Sequence, residues 1–344
     1  MLKQIWLHSV RAYIRLGLFF YYKRIHVVGL DNIPKDKPVL ILANHQNALL
    51  DALLIATRSH SFSYFLTRAS VFNSLFFAKL LKSLRMYPIY RMRDGMQTIT
   101  KNNAIFKRCS QLLSNKNSIV IFPEGNHNLK RTVRPLSKGF TRLVFETLDT
   151  HPNLDLQLIP VGFNYKRAEN FADEVAIFIG EPLLANDYVF DEKNQAVLKL
   201  KVDVQNAIYK LTTHIPIENY ENYLKKLEGL HVDFLNPESV NACMLNNFEN
   251  CNIKKLKKPS FVKQLLKIVL IINVLLPYLI WKKSILPKIK EIEFVSTFRF
   301  AVGITLVPIY LLAITSILAI YIGCFYALFY LLAVLLLALI TIKH

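Results

Sequence analysis

The sequence predicts an α/β fold, a mixed sheet flanked by helices, followed by a C-terminal α-helical membrane region. Three observations carry that prediction. Short β-rich runs alternate with helical stretches from residue 25 to about 215, the pattern of a layered α/β domain. Phe300 to Ile342 then runs 43 positions without a charged residue, enough for two helices of ~20 residues across a bilayer. Finally, 53% of residues are hydrophobic and the mean hydropathy is +0.28, high for a chain that only meets water.

The elements follow in order. Residues 1–24 place Lys3, Arg11 and Arg15 among apolar positions. The uncharged part, Leu16 to Tyr22, is too short to span a bilayer. It reads as an amphipathic helix lying in the membrane interface, with Trp6, Phe19, Phe20 and Tyr22 dipping in; an ordinary helix packed on the domain is the rival. No cleavable signal peptide is evident.

Residues 25–230 form the α/β domain, with strands expected near 26–29, 38–44, 62–67, 118–123, 156–165 and 175–180 and helices near 46–57, 70–84, 97–114 and 138–149. Pro160 inside the fifth run argues for an edge or a bulge at that point. Residues 231–260, rich in Asn and Lys, read as a basic linker, and 261–344 as membrane-associated. Within the last region, Ile268 to Trp281 is short and contains Pro277, which favours an interfacial or re-entrant helix, whereas 300–342 reads as a transmembrane hairpin reversing near Ile322-Gly323.

Charge narrows the partners. The chain has 43 Lys and Arg against 24 Asp and Glu, a net charge of +19, which calls for an anionic partner. Twelve of those cations and only two acids lie from Lys254 onward, so the excess follows the membrane segments and fits anionic lipid better than nucleic acid. Lysines on both flanks of 268–281 favour the cytoplasmic side for both its ends. The four cysteines form no CxxC pair and suggest free thiols in a reduced compartment, with neither a disulfide framework nor a zinc site.

Four stretches could carry chemistry. In "NHQNALLD" an apolar run ends at Asn44-His45 and Asp51 follows. On a helix begun at His45, Asp51 lies about one and two-thirds turns along, and the pair could meet with a modest adjustment at the turn. A carboxylate on one ring nitrogen holds a histidine neutral and oriented for proton abstraction; alone, the pair could equally be a helix-start histidine. "RMYPIYRMRDG" offers Arg85, Arg91 and Arg93, suited to phosphate or simply solvated. "VIFPEGNHN" ends a strand in Glu124-Gly125-Asn126-His127, with Lys130, Arg131, Arg134 and then Lys138-Gly139 at a helix start. "LIPVGFNY" is the fourth. A His45–Asp51–His127 metal site lacks further ligands at supporting spacing, so no metal is expected.

In this order and spacing the four stretches resemble the lysophospholipid acyltransferase superfamily, whose glycerol-3-phosphate and 1-acylglycerol-3-phosphate acyltransferases join fatty acyl groups to glycerophosphates. The matching residues are Asn44-His45 with Asp51, Arg91, Phe122-Pro123-Glu124-Gly125, and Pro160-Val161, over roughly residues 25 to 185. Two departures, five residues between His45 and Asp51 rather than four and Asn128 where many members have Ser, are similar to the fungal type of glycerol-3-phosphate/dihydroxyacetone-phosphate acyltransferases, as are His127 and the downstream "RPLSKG".

The resemblance implies a glycerolipid acyltransferase-like fold and a mechanism. His45 would be the general base and Asp51 its orienting partner, with Arg91, Glu124, Gly125, Asn126 and His127 holding the glycerophosphate and Lys138 a second-rank phosphate contact. It implies acyl-CoA or acyl carrier protein as co-substrate, no cofactor, anionic membrane lipids as partners, and no nucleic acid. The enzyme would sit at the cell membrane, the inner one where there are two, with its catalytic domain on the cytoplasmic face. Acyl transfer to another lipid alcohol or amine, or a non-catalytic lipid-binding scaffold, are the alternatives.

Overall fold

The structure is a computed structural model that describes residues 1–90, 100–190, 192–253 and 261–343. Helix α1 (Leu2–Tyr21) leads into strand β1 (Arg24–Val28) and β2 (Val39–Ala43), followed by α2 (Ala48–Arg58), β3 (Tyr64–Arg68), α3 (Leu75–Ser83), β4 (Met86–Ile89), α4 (Lys101–Ser114), β5 (Ser118–Ile121), α5 (Gly139–Thr150), β6 (Gln157–Tyr165), β7 (Glu174–Ile179) and β8 (Leu183–Leu184). The eight strands form one sheet in the order β1-β7-β6-β2-β5-β3-β4, with β8 also on β6. β6 runs antiparallel to β7 and β8, and every other pair is parallel.

Alternation along β2 sorts the core into two layers. Leu40 and Leu42 face α4, α5 and the helix α6 (Lys193–Leu211). Val39, Ile41 and Ala43 face α1 and α2. Helices on both sides bury β2 and β6 throughout, which is why those strands read as unbroken apolar runs.

Pro160 does not mark an edge, because β6 is central. It falls between the residues that pair with β8 (Gln157, Leu158) and those that pair with β7 (from Val161). Its carbonyl accepts from Gly180 N at 2.9 Å, so its missing N–H faces that same interrupted side rather than the β2 ladder. Strand β4 is obscured in the sequence by Pro88 and the neighbouring arginines.

Residues 231–253, expected to be a linker, are folded. α7 (Tyr220–Gly229) and α8 (Pro237–Leu245) enclose a small core of Ile215, Tyr220, Leu227, Val232, Phe234 and Val240. The expectation of free thiols is also corrected: Cys243 and Cys251 form a disulfide with Cα atoms 4.9 Å apart. The chain doubles back after α8, where Phe248 N donates to Cys243 O at 2.8 Å, a reversal that an eight-residue spacing does not announce. Residues 254–260 of the expected linker lie outside the described residues.

In the C-terminal region, α9 (Phe261–Asn273) and the helix beginning with α10 (Leu275–Leu279) meet at 97°. α11 (Val295–Ile304) and α12 (Leu306–Ile322) belong to one stretch, Ile292–Ile322, and α13 is Cys324–Lys343. Both stretches are long and apolar enough to cross a membrane, and they pack against each other about the break at Gly323.

These helices join the α/β domain. α1 packs on α2, α11 and α13, and Phe300 of α11 is buried in the same core as Leu18, Tyr21 and Ile41. The contact is close at Gly17, where a Cβ would come within 2.5 Å of Ile304 and 3.2 Å of Phe300. Lys343 Nζ donates to Phe19 O and Tyr22 O at 2.8 Å, satisfying carbonyls at the end of α1. Trp6 and Phe19 are exposed as an interfacial helix would have them, but Tyr22 is buried; the chain turns there into β1, and the ring packs toward Tyr165.

Candidate active site

β2 and β5 are parallel neighbours, so their C-terminal ends deliver His45 and the Phe122-Pro123-Glu124-Gly125 turn to one place, the rim where α/β sheets carry function. The His45 ring stacks on Phe122 with centroids 4.0 Å apart. Its Nδ1 lies 2.8 Å from Asp51 Oδ2. Asp51 is fully buried in the first turn of α2, where the helix N-terminus favours negative charge.

Two further groups hold that carboxylate. Asn47 N donates to Oδ2 at 2.8 Å, and the Tyr165 hydroxyl donates to Oδ1. Asn47 Nδ2 in turn reaches Ala168 O at 2.9 Å. Ala48, between Asn47 and the helix body, has φ +40, an uncommon conformation for a residue with a side chain and one that clusters at functional sites. With Nδ1–H given to a buried carboxylate, Nε2 is the basic nitrogen left for a substrate, and the ring's side chain is 16% exposed. The arrangement can remove a proton from a hydroxyl and stabilise the imidazolium that forms.

Glu124 is turned inward. Its side chain is 3% exposed and pairs with Arg134, and burial raises its carboxyl above the ordinary value while Arg134 opposes the rise. Arg134 also binds the Asn126 side chain and reaches His45 O at 3.5 Å. Asn128 N donates to the same His45 carbonyl at 3.1 Å. One guanidinium therefore clamps the turn to the histidine loop, a role its position in a basic run did not reveal. Gly125 has φ +77, and a Cβ added there would meet no atom within 4 Å, so the backbone conformation, not space, demands glycine.

His127 meets His45 edge-on with centroids 5.7 Å apart. Its Nε2 lies 3.1 Å from Glu291 Oε2, and its ring packs on Phe294 at 4.6 Å. Burial lowers its pKa, against the opposing pull of Glu291. Ligand atoms of His127, Glu291 and Glu293 lie within 4.8 Å of one another; a trio on a partly open surface is common without an ion, and Asp51 already occupies His45 Nδ1. Lys138 is exposed just before α5, and none of its described contacts reaches His45. Arg85 is used structurally, donating to Phe62 O at 2.7 Å and stacking over Tyr64. Arg131 likewise braces Tyr165 O and Lys166 O. Arg91 lies outside the described residues.

Residues 24–164 match the family model described as Acyltransferase. This segment is an acyltransferase-family domain. The acyltransferase domain holds His45, Asp51 and the Phe122–Gly125 turn, whereas Tyr165 lies one residue past the match and Glu291 far beyond it. The chain is 27% identical over 133 residues to an uncharacterized acyltransferase of Schizosaccharomyces pombe, covering 36% of this chain and 19% of that protein. It is 26% identical over 128 residues to glycerol-3-phosphate O-acyltransferase 1 of Saccharomyces cerevisiae, covering 36% and 17%. The match thus spans less than a fifth of either relative. Among solved structures, the 1-acyl-sn-glycerophosphate acyltransferase of Thermotoga maritima aligns with a TM-score of 0.42 and 18% identity, over 59% of this chain and 80% of that one.

Proposed function

We propose that this protein is a membrane-associated O-acyltransferase of phospholipid synthesis, moving a fatty acyl group from acyl-CoA or acyl carrier protein to glycerol-3-phosphate or 1-acylglycerol-3-phosphate. The observation that carries the reading is the buried Tyr165–Asp51–His45 chain of hydrogen bonds beside the Phe122–Gly125 turn. The acceptor class is supported by the name of the budding-yeast relative.

His45 Nε2 takes the proton of the acceptor hydroxyl as its oxygen attacks the thioester carbonyl carbon. The tetrahedral adduct collapses, the C–S bond breaks, and the leaving thiolate takes the proton from the imidazolium, which restores neutral His45. Products are an ester and a free thiol, so atoms and charge balance without an enzyme nucleophile. A thioester is already activated, which leaves no step that calls for a metal or cofactor. Asn126 and His127 border the acceptor, Gly125 shapes the turn, and Arg91 and Lys138 are the cations assigned to phosphate. Glu124 supports the site through Arg134.

The domain works against the cell membrane, on its cytoplasmic face, where anionic headgroups meet the basic tail and the acyl product stays in lipid. The two long apolar helices and the exposed apolar side of α1 support that location.

Thiol release from palmitoyl-CoA by detergent-solubilised protein tests this, with glycerol-3-phosphate and 1-acylglycerol-3-phosphate offered separately. Release with one acceptor, lost in His45→Ala while the protein stays folded, is the expected result. Silence with both, from acyl-CoA and from acyl carrier protein, refutes the glycerophosphate reading and leaves another lipid alcohol or amine as acceptor, or a scaffold.

A further inference from the structure

Two histidines with carboxylate partners stand side by side at this rim. His45 gives Nδ1–H to Asp51, and His127 faces Glu291 through Nε2 at 3.1 Å. A carboxylate accepts only, so the hydrogen on His127 is assigned to Nε2 and its Nδ1 is left as an acceptor. The tautomers are opposite: the proton-free nitrogen is Nε2 on His45 and Nδ1 on His127. Burial favours the neutral form of His127, against the pull of Glu291, and in that form Nδ1 is an acceptor.

Glu291 comes from the other end of the fold. It lies 164 residues from His127, in the turn leading into α11, where Phe294 N donates to Glu291 O at 3.1 Å. That turn is anchored: Ser296 Oγ donates to Ala168 O at 2.7 Å, Arg299 to Glu169 O at 2.8 Å, and Phe300 is buried. Ala168 O is also the carbonyl that receives Asn47 Nδ2. One backbone group thus ties α11 to the turn that holds Asp51.

We propose that Glu291 is a specificity-determining positioning residue that fixes His127 to accept a hydrogen bond from a second hydroxyl of the acceptor, next to the one deprotonated by His45. This rests on the acyl-transfer reading above and deepens it: the preferred acceptor is a small phosphorylated vicinal diol rather than a phosphate with one hydroxyl. Ring centroids 5.7 Å apart suit two nitrogens addressing neighbouring oxygens of one small polyol. A site built to bond a hydroxyl penalises an analogue lacking it, because the half-buried acceptor is then left without its partner.

The test compares kcat/KM for glycerol-3-phosphate and for 3-hydroxypropyl phosphate, which lacks the second hydroxyl, using the full-length protein in detergent and palmitoyl-CoA. Wild-type protein is expected to prefer the diol by about tenfold, the scale of one net hydrogen bond. Glu291→Ala should bring the two within about threefold. Glu291→Gln, whose amide oxygen still accepts from Nε2–H, should keep most of the preference. A ratio of two acceptors does not depend on the fraction of protein that is folded. Equal use of both acceptors by the wild type, or an undiminished preference in Glu291→Ala, overturns the proposal alone. Acylation of neither by the wild type, while 1-acylglycerol-3-phosphate is acylated, overturns this proposal alone; acylation of none of the three, from acyl-CoA or from acyl carrier protein, overturns the acyl-transfer reading with it.

Discussion

The Tyr165 hydroxyl donates to the one Asp51 oxygen that His45 does not use. Strand β6 thereby reaches across to set the orientation of a histidine that belongs to the loop after β2. Tyr165→Phe removes a hydrogen bond to a buried carboxylate, worth ~1.5–3 kcal/mol. We expect kcat to fall about tenfold to a hundredfold with both KM values nearly unchanged. Steady-state thiol release measures it, and an unaltered kcat would remove Tyr165 from the relay.

Arg134 and Glu124 form a buried pair whose members need each other. Arg134→Met leaves the Glu124 carboxylate uncompensated and is expected to destabilise by ~3–5 kcal/mol. Adding Glu124→Gln should recover a large part of that loss. Thermal unfolding in detergent reads both variants, and additive losses in the double variant would show that the pair is not coupled.

Burial raises the Asp173 carboxyl from 3.8 to about 6. The folded protein keeps a proton there that the unfolded chain has released, so this contribution to stability is complete below pH 3.8 and lost as pH rises through about 6. Each unit of that window is worth roughly 1.4 kcal/mol at most. Asp173→Asn should therefore flatten the decline in stability between pH 4 and pH 6, relative to wild type, in a thermal-shift series. Parallel curves would place the Asp173 carboxyl back in the ordinary range.

Helix α1 and helix α11 meet closely at Gly17, where any side chain would press on Ile304 and Phe300. Gly17→Val is expected to cost ~1–3 kcal/mol by overpacking, and Phe300→Ala ~3–5 kcal/mol by opening a cavity. Because Ser296 of α11 shares Ala168 O with Asn47, both should lower kcat as well. Full activity in a destabilised Phe300→Ala protein would separate α11 from the site.

The sequence disclosed the parts of this site that lie at ends of apolar runs. His45 and the Phe122–Gly125 turn follow β2 and β5 directly, and a parallel pairing does the rest. Asp51 was legible because it is close in sequence, although His45 precedes α2 and meets Asp51 across the turn at Asn47-Ala48 rather than along a helix face. Tyr165, Asn47 and Glu291 were not, since nothing local distinguishes a strand tyrosine that meets a carboxylate from one that fills a core. Arg134 stood in a run of cations where a solvated side chain and a buried clamp look alike. The same limit hid the fold of residues 231–253, whose small core depends on chain reversal and a disulfide rather than on periodicity.

Phe300, seated among Leu18, Tyr21 and Ile41, also sets an order of events during synthesis. Every residue of the sheet has left the ribosome well before α11 is made, so the nascent α/β layer carries a vacancy in its core. That vacancy closes only once the stretch heading the apolar helices is available to fold back. Completion of that layer therefore waits on the stretch that also opens the two long apolar helices.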